Sequence, residues 1–405
     1  MGDGSVPPHI LVLCRSHLSR DARVLRQVEA LREVGTVSCA AFSPSGLETG
    51  SFHRLGEDNT VLGWPPLARK ALTLTHGAML RLQRIAGAHE AAYWGPVQRH
   101  ARRMLRRVKA DLIVANDVDT LPLAFAIAGP TTRVLFDAHE FHPGQHAGDD
   151  ARTVRARRAV THLCRRFVPK VHHFITVSDA VAEAYHDLTG VHPTVITNAP
   201  AYRELRPVHA SEGPIRLVHH GGAFPQRDSA ALMTLMDLLG PGFELHLYMV
   251  GDSAVLDRLR HMAAARTNVF MHDPVPPTDV PAIINGYDIG VHRLPPGPPN
   301  HEFALPNKLF DFVQARLAIA VSPNRAMATL VREHGLGVVA ASHDVASLAD
   351  VMRPLSREEI LRFKQRAHEK AHELSATANM SRLVGIAQQL LGHTPVNTST
   401  SASHG

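Results

Sequence analysis

Four titratable side chains crowd one short stretch, "VLFDAHEFHPG" at 134–144. Val134, Leu135 and Phe136 read as a buried strand, and Asp137, His139, Glu140 and His142 follow before Pro143-Gly144 closes the turn. A histidine at the end of a buried strand suits hydrogen-bond chemistry on a hydroxyl, here as a neutral imidazole, with Glu140 and His142 orienting the loop or lining a pocket. "ANDVDTLP" at 115–122 is a second polar strand end, with Asn116, Asp117 and Asp119. Those residue types also build ordinary turns and helix caps, so binding and turn-making are equally open there. Arg20, in the loop after the first strand, is a similar candidate for binding an acceptor.

Two further stretches suit an anion. In "LVHHGGAFPQRDS", Gly221 and Gly222 let the backbone approach a ligand, and Arg227 opens the next helix. In "ALPNKLFDFVQARLAIAVSP", Pro306 suits the first turn of a helix, and Leu309, Phe312 and Val313 make its buried stripe. Lys308 and Asp311 are three apart on another face, with Asn307 beside them. A lysine in a first turn opposes the helix dipole unless an anion sits there, bound by the lysine and the free N–H groups together. Asp311 is then placed to accept hydrogen bonds from ribose hydroxyls. The plain alternative is a surface Lys–Asp pair, which contributes little.

The elements that must carry these residues alternate. Short apolar segments at 9–14, 36–42, 112–116, 133–139, 174–178 and 194–199 read as buried parallel strands with helices between them. The pattern then restarts at 215–222, 243–251, 268–272, 288–294, 317–322 and 337–342. Two successive β/α runs in 405 residues predict an α/β protein of two doubly wound, Rossmann-like domains facing a central cleft, with ligands outside the carboxyl ends of the strands. The expected division is a first domain at 1–205 and a second at 206–375. A helix at 376–392 and a disordered tail at 393–405 are expected to follow. A polar, proline-bearing linker is expected at 200–214, and one long helical region at about 356–391.

Composition narrows the classes. The chain is 44% apolar and 20% charged, and no apolar run is long enough to span a membrane. No basic region precedes the first apolar run, so no secretory signal is expected, and three scattered cysteines fit a reducing cytoplasm without a disulfide or zinc framework. The net charge of +6 lies wholly in residues 1–200. Part of it sits on "RHARRMLRRVK" at 99–109, a basic helix whose arginines share one side and read either as a solvated face or as a contact with an anionic membrane leaflet. Nucleic acid is not an expected partner, because no aromatic-basic interleaving accompanies the charge.

The stretch "ALPNKLFDFVQARLAIAVSP" resembles the "LPNKLFEYMAAGLPVVAS" block of family-4 glycosyltransferases with the GT-B fold. "RDARVLRQVEALREVG", "HHFITVSDAVAEAY", "TVITNAP" and "LHLYMVGDS" are similar to other segments of that family, so the likeness covers most of the chain. It implies that the domain at 1–205 binds the acceptor and the domain at 206–375 the nucleotide-sugar, that the helix at 376–392 packs back toward the first domain, and that Asp311 binds the donor ribose. The helix start at Asn307–Lys308, the Gly221–Gly222 turn and Arg227 bind the diphosphate, and His139 lies near the donor's anomeric carbon. Many members carry a glutamate eight positions before the Asp311 position; here that position is Phe303, next to Glu302. The family's glycine after its domain-opening turn is Asp228.

Residues and resemblance together predict a retaining, metal-independent, hexosyltransferase-like enzyme. It moves sugar from a nucleotide-diphosphate-sugar co-substrate, with no other cofactor, to an acceptor hydroxyl. The acceptor is a glycan, a lipid-linked precursor or a small metabolite, in glycan, glycolipid or natural-product biosynthesis. The acceptor-binding candidates are Arg20, Asn116, Asp117, Asp119 and Glu140. The expected location is the cytoplasm, with peripheral contact at the inner face of the membrane through the basic first domain. The alternatives are a nucleotide-sugar epimerase of the same fold and a non-catalytic nucleotide-sugar-binding or membrane scaffold protein.

Overall fold

The structure is a computed structural model, and it describes residues 6–57, 74–75, 78, 90, 93–146, 148–208, 212–224 and 228–392. Arg227 and the tail at 393–405 therefore lie outside the described residues, as do 209–211 of the expected linker. The chain forms two compact units. The first comprises Met1–Val177, Ala182–Ile196 and Met380–Gly405; the second comprises Ser178–Val181 and Thr197–Asn379.

The first unit holds a seven-stranded parallel sheet in the order β3-β2-β1-β4-β5-β6-β7. Its strands are β1 His9–Leu13, β2 Thr36–Ala41, β3 Phe52–Arg54, β4 Leu112–Asn116, β5 Arg133–Ala138, β6 His173–Thr176 and β7 Thr194–Val195. Apolar runs such as Ile10–Leu13 and Leu112–Ala115 are buried throughout, as helices on both faces of a parallel sheet require. The three-residue edge strand β3 has no apolar run and was not foreseen. Helix Ala22–Leu31 starts at Asp21, whose carboxylate accepts from the Val24 N–H at 3.2 Å. It packs Val24, Val28 and Leu31 on the sheet, and Arg23 and Gln27 are buried on the same helix. Leu383 and Ala387 of helix Ala376–Leu390 join that core cluster.

The second unit holds a six-stranded parallel sheet in the order β10-β9-β8-β11-β12-β13. The strands are β8 Ile215–Ala223, β9 Phe243–Gly251, β10 Val269–His272, β11 Ile289–His292, β12 Ala318–Val321 and β13 Gly337–Val339. Helix Asn307–Gln314 buries Leu309, Phe310, Phe312 and Val313, the predicted stripe with Phe310 added, and Pro306 is its N-cap rather than a first-turn residue.

Two expectations about helices need correction. The basic helix runs Pro96–Leu105 and not 99–109, because Pro96 starts it one turn earlier and the chain turns at Arg106–Arg107. The long terminal helical region is two helices, Arg357–Lys370 and Ala376–Leu390. At the break the carbonyls of Ala371 and Leu374 accept from the Gln314 side chain at 2.6 and 3.1 Å. A side chain satisfies backbone groups there that a continuous helix would pair itself.

Each sheet reverses its strand order once, between β1 and β4 and between β8 and β11. Such switch points open a crevice beyond the strand ends, and the polar strand ends seen in the sequence stand there or beside them.

Candidate functional site

In the first unit the cluster is built on β4, β5 and helix Ala22–Leu31. Asp137, fully buried near the end of β5, takes a two-pronged ion pair from Arg23: Nε to Oδ2 at 2.7 Å and Nη2 to Oδ1 at 2.8 Å. Gln27 also donates to this carboxylate. His139, two residues on, lies with Nε2 at 3.1 Å from Asn116 Oδ1 and 3.5 Å from Asp137 Oδ2, and with Nδ1 at 3.6 Å from Asp117 Oδ2. His142 Nε2 is 3.2 Å from Asp117 Oδ1, and its Nδ1 is 3.0 Å from the Tyr185 hydroxyl. Tyr185 donates to the Glu140 carbonyl at 3.2 Å, which ties the loop to helix Asp179–Thr189.

Asp117 reaches both histidines because its backbone is bent. Its φ of 67° and ψ of 153° fall in a region that glycine alone occupies freely, at a cost of about 1–3 kcal/mol. The conformation is held by Thr120, whose N–H and hydroxyl donate to the Asp117 carbonyl at 3.1 and 2.8 Å. Strained backbone of this kind collects at ligand and active sites, and here it stands at a strand end beside a switch point.

The charges decide the state of His139. Burial by itself disfavours its cationic form, but Asp117 and Asp137 outweigh that and raise its pKa from 6.5 to about 9. Burial likewise works against the Asp137 carboxylate, and Arg23 and His139 overcome it, holding its pKa well below the usual range. Burial would raise Asp117 too; the neighbouring His139 and His142 instead lower it. The two carboxylates flanking the ring, Asp117 and Asp137, thus favour the imidazolium over the neutral imidazole expected from sequence.

In the second unit the cluster is built on the ends of β8 and β11 and the start of helix Asn307–Gln314. Lys308 Nζ lies 3.3 Å from His219 Nε2, and His219 Nδ1 is 2.8 Å from the Val291 carbonyl. Gly221 has φ +111°, and a Cβ there would lie 3.4 Å from Lys308 Nζ. The ammonium thus sits over a backbone that only glycine offers without strain. His220 Nε2 is 3.5 Å from Asp311 Oδ2, and burial followed by the charge of Lys308 lowers the His220 pKa to about 3. A pocket at this switch point is lined by His219, Gly222, Asp228, His292, Arg293 and Lys308 among others.

Of the sequence candidates, His139, Asn116 and Asp117 meet in one cluster, and the Glu140 backbone supports it. Asp119 is set slightly apart, 3.4 Å from Arg15 Nε. Arg20 is exposed on the turn Leu18–Arg20, and the arginine that enters the cluster is Arg23. Gly221, Gly222, Lys308 and Asp311 gather at β8; Asn307, the first residue of its helix, is exposed. Glu302 turns elsewhere: its carboxylate accepts from the Arg325 N–H at 3.2 Å and lies 3.6 Å from His343 Nε2. The sequence reading missed Arg23, Gln27 and Arg293. Arg23 and Gln27 were detectable as two long polar residues, four apart, beside a buried stripe. Among the described residues no group of three or more His, Cys, Asp or Glu side chains could hold a metal ion, and no helix is long and apolar enough to cross a membrane.

Residues 52–199 match the family model described as Glycosyltransferase Family 4. No curated protein matches the chain. Among solved structures, Anabaena Alr3699/HepE in complex with UDP-glucose superposes with a TM-score of 0.63 at 13% identity, over 94% of this chain and 100% of that one. Sucrose-phosphate synthase from Thermosynechococcus elongatus gives 0.64 at 13% identity, over 95% and 99%. With residues 52–199 matching that family model and two parallel-sheet α/β units, the chain has the fold of the GT-B glycosyltransferases.

Proposed function

We propose that this chain is a retaining glycosyltransferase that moves a sugar from a nucleotide-diphosphate donor to an acceptor hydroxyl. The observation that carries the reading is the Lys308 ammonium poised over Gly221, where β8 ends at a topological switch point. A fixed cation, a backbone open to close approach and a helix start together suit a diphosphate. Asp311 lies close by, 3.5 Å from His220, for ribose hydroxyls, and Gly222 and Arg227 belong to the same stretch of sequence. The binding of UDP and UDP-glucose by HepE, a protein of this fold, supports a nucleotide-sugar donor.

In this reading the first unit binds the acceptor. The His139 imidazolium donates a hydrogen bond to a sugar or acceptor oxygen, with Asn116 and Asp117 fixing the ring. Diphosphate charge is offset by protein cations and needs no metal, and the departing diphosphate takes the acceptor proton on the same face, as the family likeness implies. The exposed arginines of helices Pro96–Leu105 and Ala151–Phe167, including Arg102, Arg103, Arg155 and Arg158, favour an anionic or lipid-linked acceptor at a membrane surface in the cytoplasm.

A thermal-shift screen of nucleotide-diphosphate sugars tests the donor reading. One sugar nucleotide is expected to raise the melting temperature of the wild type, and Lys308→Ala to abolish the rise. Equal affinity for that nucleotide in wild type and Lys308→Ala sinks the assignment. Conversion of the donor sugar without any acceptor favours the epimerase.

A further inference from the structure

The pocket at the β8/β11 switch point contains a charge pair that stability does not account for. Asp228 has φ 47°, in the left-handed region, at the place where the sequence resemblance expects glycine. Its half-exposed carboxylate lies 2.6 Å from Arg293 Nη1. Arg293 follows the end of β11, is mostly buried, and donates Nε and Nη2 to the His343 carbonyl at 3.3 and 3.1 Å. A pair with one partner this exposed contributes about 0–1 kcal/mol. A left-handed backbone costs roughly 1–2 kcal/mol, somewhat less for Asp than for other side chains. The two nearly cancel, so an acid at this position needs another reason.

The location suggests one. Arg293 and Lys308 line the same pocket, with Gly222 and His219. They come from opposite flanks of the switch point, Arg293 after β11 and Lys308 packed over the end of β8. A guanidinium carries five N–H donors in a planar fork, and the described bonds use three of them. The remaining donors suit a phosphate better than a carboxylate, because phosphate brings more charge and more acceptor oxygens to the same fork.

We propose that Arg293 binds the diphosphate of a nucleoside-diphosphate ligand together with Lys308, and that Asp228 holds Arg293 until phosphate replaces it. Asp228 thereby sets the affinity of the site: it lowers the gain from the guanidinium and keeps the pocket from holding other anions. The inference rests on the reading that the second unit binds a nucleotide-diphosphate donor. No bond is made or broken; one ion pair exchanges for another.

Isothermal titration of the full chain with UDP, GDP and ADP, each beside its nucleoside, tests this. The nucleotide that the wild type binds most tightly is carried forward. Arg293→Gln is expected to weaken that nucleotide about tenfold, the scale of one charge-assisted contact, while leaving the nucleoside unchanged. Asp228→Asn keeps the side-chain size and tolerates the backbone angle, and is expected to tighten the nucleotide about threefold or more. In the Arg293→Gln background the same change is expected to give no gain. If Asp228→Asn leaves affinity unchanged or weaker, or if its gain persists without Arg293, the proposal is overturned while the donor reading stands. If the wild type binds none of the three nucleotides, the donor reading fails and the proposal with it. Should Arg293→Gln not fold, Arg293→Lys replaces it: loss of the planar fork is expected to weaken nucleotide binding, and unchanged binding overturns the proposal.

Discussion

Arg23 and Asp137, 114 positions apart in sequence, form a two-pronged ion pair in the core of the first unit, with side chains 4% and 0% exposed. The pair joins helix Ala22–Leu31 to the end of β5. Because Asp137 also lies 3.5 Å from His139, the helix takes part in placing the histidine.

Removing one partner leaves a buried charge uncompensated. Arg23→Met is expected to destabilise the first unit by about 3–5 kcal/mol, whereas Arg23→Met with Asp137→Leu recovers much of that loss. Denaturant unfolding of the single and double variants checks this; equal losses in both would show that the pair's charge is not the cause.

The charge of His139 should appear as a pH dependence. Its folded-state pKa of about 9 is raised above the unfolded value near 6.5. The resulting stabilisation is therefore complete below about pH 6.5 and is lost as pH rises through 9. The stability difference between wild type and His139→Gln is expected to shrink across that window. Asp117→Asn, which removes one flanking charge, is expected to lower the His139 pKa in an NMR titration. A His139 resonance that titrates near 6.5 in the wild type rules out the imidazolium.

Gly221 should not accept a side chain. With φ +111° and Lys308 Nζ 3.4 Å from the site of a Cβ, Gly221→Ala strains the backbone and crowds the ammonium. A loss of about 1–2 kcal/mol in stability is expected from the backbone angle. Nucleotide affinity should fall further than stability does, because the alanine methyl occupies the approach to the backbone. Calorimetric titration beside a melting curve separates the two effects.

Arg316 offers a test of context over local preference. It has φ 59°, where the resembling family block carries glycine, and it is fully buried. Its guanidinium donates to the carbonyls of Gln314 at 2.7 Å, Arg203 at 2.5 Å and Val313 at 3.2 Å, and its Nε to His368 Nδ1 at 3.1 Å. Arg316→Gly relieves the backbone yet is expected to destabilise the second unit by about 2–4 kcal/mol, from lost hydrogen bonds and an empty volume. A stability gain in urea unfolding would contradict this account.

Much of the fold could be read from the chain alone, because buried parallel strands write themselves as continuous apolar runs. Phe243–Gly251 was bounded to the residue. β3 and the break before Ala376 could not be read this way. One is too short to carry a pattern, and the other depends on Gln314, far off in sequence, reaching two carbonyls. The site divides along the same line. His139, Asp117, Gly221 and Lys308 declare themselves as polar or glycine residues where apolar strands and a helix stripe begin or end. Such signals are local, and one sequence suffices for them.

The charge on His139, the service of Arg23 to Asp137 and the pairing of Asp228 with Arg293 were decided only when strands and helices distant in sequence came together. A pKa depends on what lies within a few ångströms and on how far water is excluded, and sequence spacing fixes neither. The sequence by itself determined which strand ends collect polar and titratable side chains; the tertiary structure determined which partners surround each of them and so which charge its surroundings favour.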